Sequence, residues 1–121
     1  MFIKLYRALA SAGLWYWAIF EKATGHYAGA FGFQNAHRDI KPALTYPEVG
    51  WTLISEVQGK GYASEALAAI LEWADQALSS PLCCIINEDN KRSNYLAERF
   101  GFQFQQYVIY RGKHVRMLLR E

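Results

Sequence analysis

Residues 48–80 read EVGWTLISEVQGKGYASEALAAILEWADQALSS, in which an alternating segment runs into glycines at 59 and 61 and then into a segment of helical period. Ala63, Ala66, Leu67, Ile70, Ala74 and Leu78 form one apolar stripe, while Glu65, Glu72, Asp75 and Gln76 lie elsewhere around the helix. This order of strand, glycine loop and helix constrains the fold more than any other stretch. The first N–H groups of a helix have no internal partner and carry the positive end of its dipole, so the loop reads as an anion site as well as a turn. Two nucleotide motifs are excluded. A P-loop needs Ser or Thr after its lysine, whereas Lys60 is followed by Gly61, and the third glycine of a dinucleotide fingerprint would fall on Ser64.

The rest of the chain is read by the same patterns. LWYWAIFE and HYAGAFGF are aromatic-rich strands joined by KATGH, a hairpin turn. FIKLYRALAS reads as a short amphipathic helix stopped near Gly13, and QNAHRDIKPALTYP, with two prolines and no period, as a loop. LCCII is a buried strand, NKRSNYLAERF a second helix closed by Gly101, and FQFQQYVIY with HVRMLLR a final hairpin about RGK. Strands outnumber helices, and each later helix has a strand on either side. A single α/β (α+β) domain over residues 1–121 follows, with a mixed, mostly antiparallel central sheet and helices on its faces.

Composition narrows the function. A hydrophobic fraction of 52% implies a folded chain. A formal net charge of +2, dispersed along the sequence, provides no basic stripe for nucleic acid. No apolar run reaches the roughly 20 residues of a membrane span, and no leader pattern is visible, so a cytoplasmic location is expected. Cys83 and Cys84 are adjacent, and His26, His37 and His114 are scattered, so buried free thiols and no metal are expected.

Gln58, Gly59, Lys60, Gly61, Tyr62 and Ala63 spell Q-x-x-G-x-A, which resembles the pyrophosphate loop of the GCN5-related N-acetyltransferases (GNAT). A second stretch, NKRSNYLAERFGF at residues 90–102, is similar to the N-x-x-S-x-x-x-x-E-x-x-G-F signature of the ribosomal-protein N-acetyltransferase branch, RimJ/RimL-like. The resemblance covers nearly the whole chain and implies the acyl-CoA N-acyltransferase fold, lacking its first strand and helix. It also implies acetyl-coenzyme A as co-substrate, with no metal. The backbone of residues 58–63 would hold the pyrophosphate, Leu53 and Ile54 would pair with the pantetheine amides, and Asn90 would bond the pantetheine arm, its alternative role being a helix N-cap. Glu48 would remove the amine proton through water, the alternative being an exposed strand-edge carboxylate. Many relatives protonate the departing thiolate with a tyrosine four residues before the glycine of GF, but that position is Ala97. Ser93 inherits the role, with Tyr95 as a weaker substitute.

The expected activity is transfer of acetyl from acetyl-coenzyme A to a primary amine, on a protein N-terminus or a small molecule, by direct attack in a ternary complex. The alternative, favoured by Ala97, is a non-catalytic acyl-coenzyme A binding module. An α-amine with a pKa near ~7.7 to 8.0 is neutral in appreciable fraction at neutral pH, whereas a lysine amine near ~10.4 is almost wholly protonated, which leans toward N-termini. With the first family strand absent, LWYWAIFE would lie at a sheet edge with Trp15, Tyr16 and Trp17 on both faces, and pairing with a second copy as a homodimer would cover it, the alternative being that the helix FIKLYRALAS folds back over the edge within one chain.

Overall fold

A computed structural model describes residues 1–7, 14–35 and 39–121. The chain groups into two compact units, Met1–Gln34 with Gly50–Ser79, and Asn35–Val49 with Ser80–Glu121. The sheet is mixed and mostly antiparallel, as expected, and among the described residues two α-helices accompany it.

In the first unit, β1 (Ile3–Arg7), β2 (Leu14–Glu21), β3 (Tyr27–Gln34) and residues 50–53 of β5 (Glu48–Leu53) follow one another in the sheet. A 3-10 turn, Ser55–Val57, and α1, Tyr62–Ala77, complete it. Alternation along β2 buries Trp17, Ile19 and Glu21 on one side. The α1 face that meets the sheet carries Ala66, Leu67, Ile70 and Ala74, largely the stripe expected from the sequence. Full burial of a side chain such as Leu67 or Ile70 contributes about 1.5–3 kcal/mol. Trp73 completes the contact, its ring 4.9 Å from Trp17, 5.9 Å from Phe33 and 6.3 Å from Trp15. Arg7 lies 5.1 Å over Trp73, within cation–π range.

Two expectations about the front of the chain are corrected. FIKLYRALAS is not a helix where the structure describes it. Ile3–Arg7 is a strand, antiparallel to β2 from Ile3↔Glu21 to Arg7↔Trp17, and residues 8–13 lie outside the described ones. A strand therefore stands ahead of β2. It follows that β2 is not an edge, since β1 pairs with one side of it and β3 with the other. Trp15 and Trp17 turn to Trp73 in the same chain, so the edge argument for a homodimer falls.

In the second unit the order runs from the start of β5 through β6 (Leu82–Ile86), β8 (Lys113–Arg120) and β7 (Gln103–Tyr110) to β4 (Ile40–Lys41). β4 is a two-residue strand inside the segment expected to be all loop, of which residues 36–38, His37 among them, are outside the described set. A parallel contact with β5 is registered at Glu48↔Cys83, and on its other side β6 pairs antiparallel with β8 from Leu82↔Arg120 to Ile86↔Arg116. Ile40, Val108 and Val115 form a small core with Leu44, Ile85, Tyr110 and Met117. Helix α2, Lys91–Arg99, follows β6, and Gly101 at φ 91° closes it.

Candidate active site

Strand β5 ends where Ile54 makes a last bond to β3 and then opens a turn. Its N–H donates to the Ala28 carbonyl at 2.9 Å, and its own carbonyl accepts from Val57 at 3.3 Å to begin the 3-10 turn. Backbone groups along a strand face its two neighbours alternately, so with Ile54 turned to β3 the N–H of Leu53 faces away from β3. The Gln58 amide Nε2 donates to the Leu53 carbonyl at 3.3 Å and folds the loop back on the strand end.

Gly59 and Gly61 have φ of 86° and 82°, in the left-handed region that L side chains rarely occupy, and a Cβ at either would meet no atom within 4 Å. The glycines are there for backbone direction rather than for close packing within the protein. Gly61 is the N-cap of α1 and offers no side-chain acceptor, and the first intrahelical bond runs from Glu65 N–H to the Gly61 carbonyl at 3.2 Å. The Tyr62 and Ala63 amides therefore open the helix without an intrahelical acceptor. The acid of the first turn, Glu65, is turned elsewhere and accepts from the backbone of Phe2 and Ile3 at 2.7 and 3.0 Å.

One residue that sequence reading passed over is central to this loop. Glu21, 8% exposed at the end of β2, accepts from Tyr62 Oη at 2.5 Å, Lys60 Nζ at 3.2 Å and Thr24 Oγ1 at 2.9 Å. The Tyr62 bond above all, then those of Thr24 and Lys60, lower its carboxyl from the ordinary 4.5 to about 2, and the Tyr62 hydroxyl is raised in return. The signal was in the alternation, which places a charged residue two positions after Ile19 on the buried face. Because the folded value is depressed, the stabilisation is present above pH 4.5 and is lost as pH falls toward about 2. Chemical denaturation across pH is expected to show Glu21→Gln least stable relative to the unmodified protein above pH 4.5, with the gap closing as pH falls toward about 2.

In the second unit Glu48 is buried, 5% exposed, as the first residue of β5 beside Cys83, so it is not an exposed edge carboxylate. Burial first, then the Glu48 charge, push the Cys83 thiol up to about 12, and Cys84 is raised further by its burial. Both thiols are free and buried, as expected. Asn90 is the N-cap of α2, its Oδ1 accepting from Ser93 N–H at 3.2 Å. Asn94, also passed over by sequence reading, braces this turn from beneath. Its Nδ2 donates to the carbonyls of Asn87 and Asn90 at 3.0 and 2.9 Å, and its Oδ1 accepts from Arg116, which also pairs with Glu98 at 3.3 Å. Tyr95 is 67% exposed on the outer side of α2 with Arg99 over its ring, whereas Ala97 is fully buried. Asn90 and Ser93 are thus brought together, and Tyr95 faces solvent. Among the described residues no three His, Cys, Asp or Glu side chains gather as a metal site would require, and no helix is long and apolar enough to cross a membrane.

The family model described as acetyltransferase (GNAT) domain matches residues 1–103. The chain belongs to the GNAT acetyltransferase family. The uncharacterized N-acetyltransferase YoaA of Bacillus subtilis is 29% identical over 101 residues, which take in 79% of this chain and 55% of that protein. A solved structure described as a GnaT-family acetyltransferase of Bordetella pertussis superposes with a TM-score of 0.77 at 30% identity, covering 89% of this chain and 66% of that one. Mycobacterium smegmatis RimJ, solved in complex with CoA-disulfide, shares the fold at a TM-score of 0.71 and 18% identity, over 88% of this chain and 52% of its own. The GNAT chain described here thus spans about half to two thirds of the length of these relatives.

Proposed function

We propose that residues 1–121 act as one acetyltransferase domain of the RimJ/RimL-like branch, transferring acetyl from acetyl-coenzyme A to a primary amine by direct attack in a ternary complex. The observation that carries this reading is the loop: two left-handed glycines lead into a helix with no side-chain cap, so backbone amides from Gly59 to Ala63 are left for an anion, in a chain of the GNAT family, while the Gln58 N–H closes the 3-10 turn on the Ser55 carbonyl at 3.3 Å. That arrangement suits the pyrophosphate of coenzyme A, with Leu53 as backbone partner for pantetheine. Asn90 fits its role because capping uses only its Oδ1, and its Nδ2 has no partner among the described residues.

In the transfer, the amine nitrogen bonds to the acetyl carbon as the carbon–sulfur bond breaks, the nitrogen loses a proton and the sulfur gains one. Glu48 takes the first proton through water, and the Ser93 hydroxyl supplies the second, a role that Ala97 cannot fill. Peptide N-termini are the favoured acceptors, because a single carboxylate base handles an amine that is already partly neutral. Thiol release from acetyl-coenzyme A across a panel of N-terminal peptides, polyamines and amino-sugars tests this. Coenzyme A binding with no turnover on any amine would favour the non-catalytic module, to which Ala97 lends support.

Gly61→Asp is expected to weaken coenzyme A binding. The charge would sit at the helix N-terminus against an incoming anion, an effect of about 0.3–2 kcal/mol. A Cβ there would meet no atom within 4 Å, so the backbone strain of a side chain at φ 82° is the other source of loss. Calorimetry on the folded variant checks it, and an unchanged affinity would remove the loop from the site.

A further inference from the structure

We infer that Glu21 is the positioning residue of the glycine loop, and that Lys60 serves as a strut between loop and hairpin rather than as a ligand of the bound phosphates. The inference rests on the reading of the loop as the pyrophosphate site and adds the means by which its amides are aimed.

The loop is short of other restraints. Gly59 and Gly61 allow many backbone directions, Gly61 contributes no cap, and at the entrance the bonds of Gln58 to the Leu53 and Ser55 carbonyls, both 3.3 Å, stop short of the two glycines. At its exit, residues 60 and 62 both reach back across 39 and 41 positions of chain to one carboxylate oxygen, Glu21 Oε2. The two side chains flank Gly61, so fixing both fixes the peptide units on either side of the glycine whose conformation starts α1. The carboxylate is itself held. Thr24 Oγ1 binds its other oxygen, and the same hydroxyl accepts from His26 N–H at 3.1 Å, which ties the anchor to the β2–β3 turn.

Electrostatics point the same way. Lys60 is half exposed, yet its ammonium lies 3.2 Å from a carboxylate that is 10% exposed. Its charge is largely spent on Glu21, and attraction for a pyrophosphate then comes from backbone amides and the helix dipole. The alternative role predicts the opposite response. If Lys60 bound phosphate directly, Glu21 would compete for it, and removing Glu21 would tighten binding.

The test compares Glu21→Ala, Lys60→Ala and the double variant by coenzyme A calorimetry, together with amide hydrogen exchange in the ligand-free protein. Glu21→Ala is expected to lower coenzyme A affinity by about tenfold or more, the scale of one misaimed charge-assisted hydrogen bond. It is also expected to speed exchange at Gly59 to Ala63 while the middle of α1 is unchanged. Lys60→Ala should cost little once Glu21 is gone, since two members of one pair are not additive. Tighter binding by Glu21→Ala, or an equal loss from Lys60→Ala in both backgrounds, would overturn the inference and make Lys60 a phosphate ligand. Should Glu21→Ala fail to fold, Tyr62→Phe removes one bond and leaves the carboxylate. A smaller loss of affinity with faster loop exchange is then expected, and wild-type values for both would refute the anchor. If the unmodified protein does not bind coenzyme A at all, the pyrophosphate reading fails, and loop exchange that still responds to Glu21→Ala would show the anchor standing without it.

Discussion

Turnover in Glu48→Gln is expected to fall by about 10² to 10⁴, the usual cost of losing a general base, with coenzyme A affinity unchanged. The substitution is nearly isosteric, which matters because Glu48 is 5% exposed in a registered parallel pair, opposite Cys83. A larger change there would disturb the sheet and confuse packing with chemistry. The pH profile separates the two. Loss of a base is greatest near neutral pH and recovers in part as alkali deprotonates the amine directly, whereas a structural defect lowers turnover equally at every pH. No loss at all would leave Glu48 as a buried carboxylate with no part in proton removal.

Gly29→Ala is expected to cost about 3 kcal/mol or more, at or beyond the upper end of ordinary overpacking. An ideal Cβ at Gly29 would lie 2.1 Å from the Thr52 carbonyl oxygen, 3.0 Å from Leu53 Cα and 3.1 Å from Thr52 C. All three are backbone atoms of β5, so no side chain can swing aside, and β3 and β5 must part. Against a total stability of about 5–15 kcal/mol for a domain, such a loss is large. The strand displaced is the one whose end, Leu53, leads into the glycine loop, so weaker coenzyme A binding should accompany it. Urea denaturation of Gly29→Ala beside Gly61→Ala checks the argument. The latter meets no atom within 4 Å and should cost only left-handed strain, about 1–2 kcal/mol. Equal midpoints for the two would refute the close approach as the reason for glycine at 29.

Much of the architecture was legible because it is written in short-range patterns. The KATGH hairpin, α1 with its apolar stripe, the LCCII strand, α2 ending at Gly101 and the hairpin about RGK all follow from turn chemistry and from periods of 2 and 3.6. The glycine loop belongs with them, since strand, loop and helix are contiguous. FIKLYRALAS shows where such reading stops. Its composition suits a helix, yet Ile3–Arg7 is a strand because β2 provides a partner, and a ladder outweighs a few tenths of a kcal/mol of propensity per residue. The homodimer argument failed for the same reason, since whether LWYWAIFE is an edge depends on what pairs with it.

Site chemistry divides in the same way. Local sequence determined that a strand ends in a glycine loop opening a capless helix, and that Asn90 precedes a helix whose Ser93 amide it caps. The roles of Glu21 and Asn94 were invisible to it. Glu21 meets Lys60 and Tyr62 from 39 and 41 residues away, and Asn94 meets Arg116 across 22. A charged or amide side chain is read as surface unless its partners are known, because burial is affordable only when hydrogen bonds replace water. Those partners come from distant parts of the chain, so although alternation put Glu21 on the buried face, only the tertiary structure could decide that it lies against the loop, and that Asn94 holds the turn at Asn90.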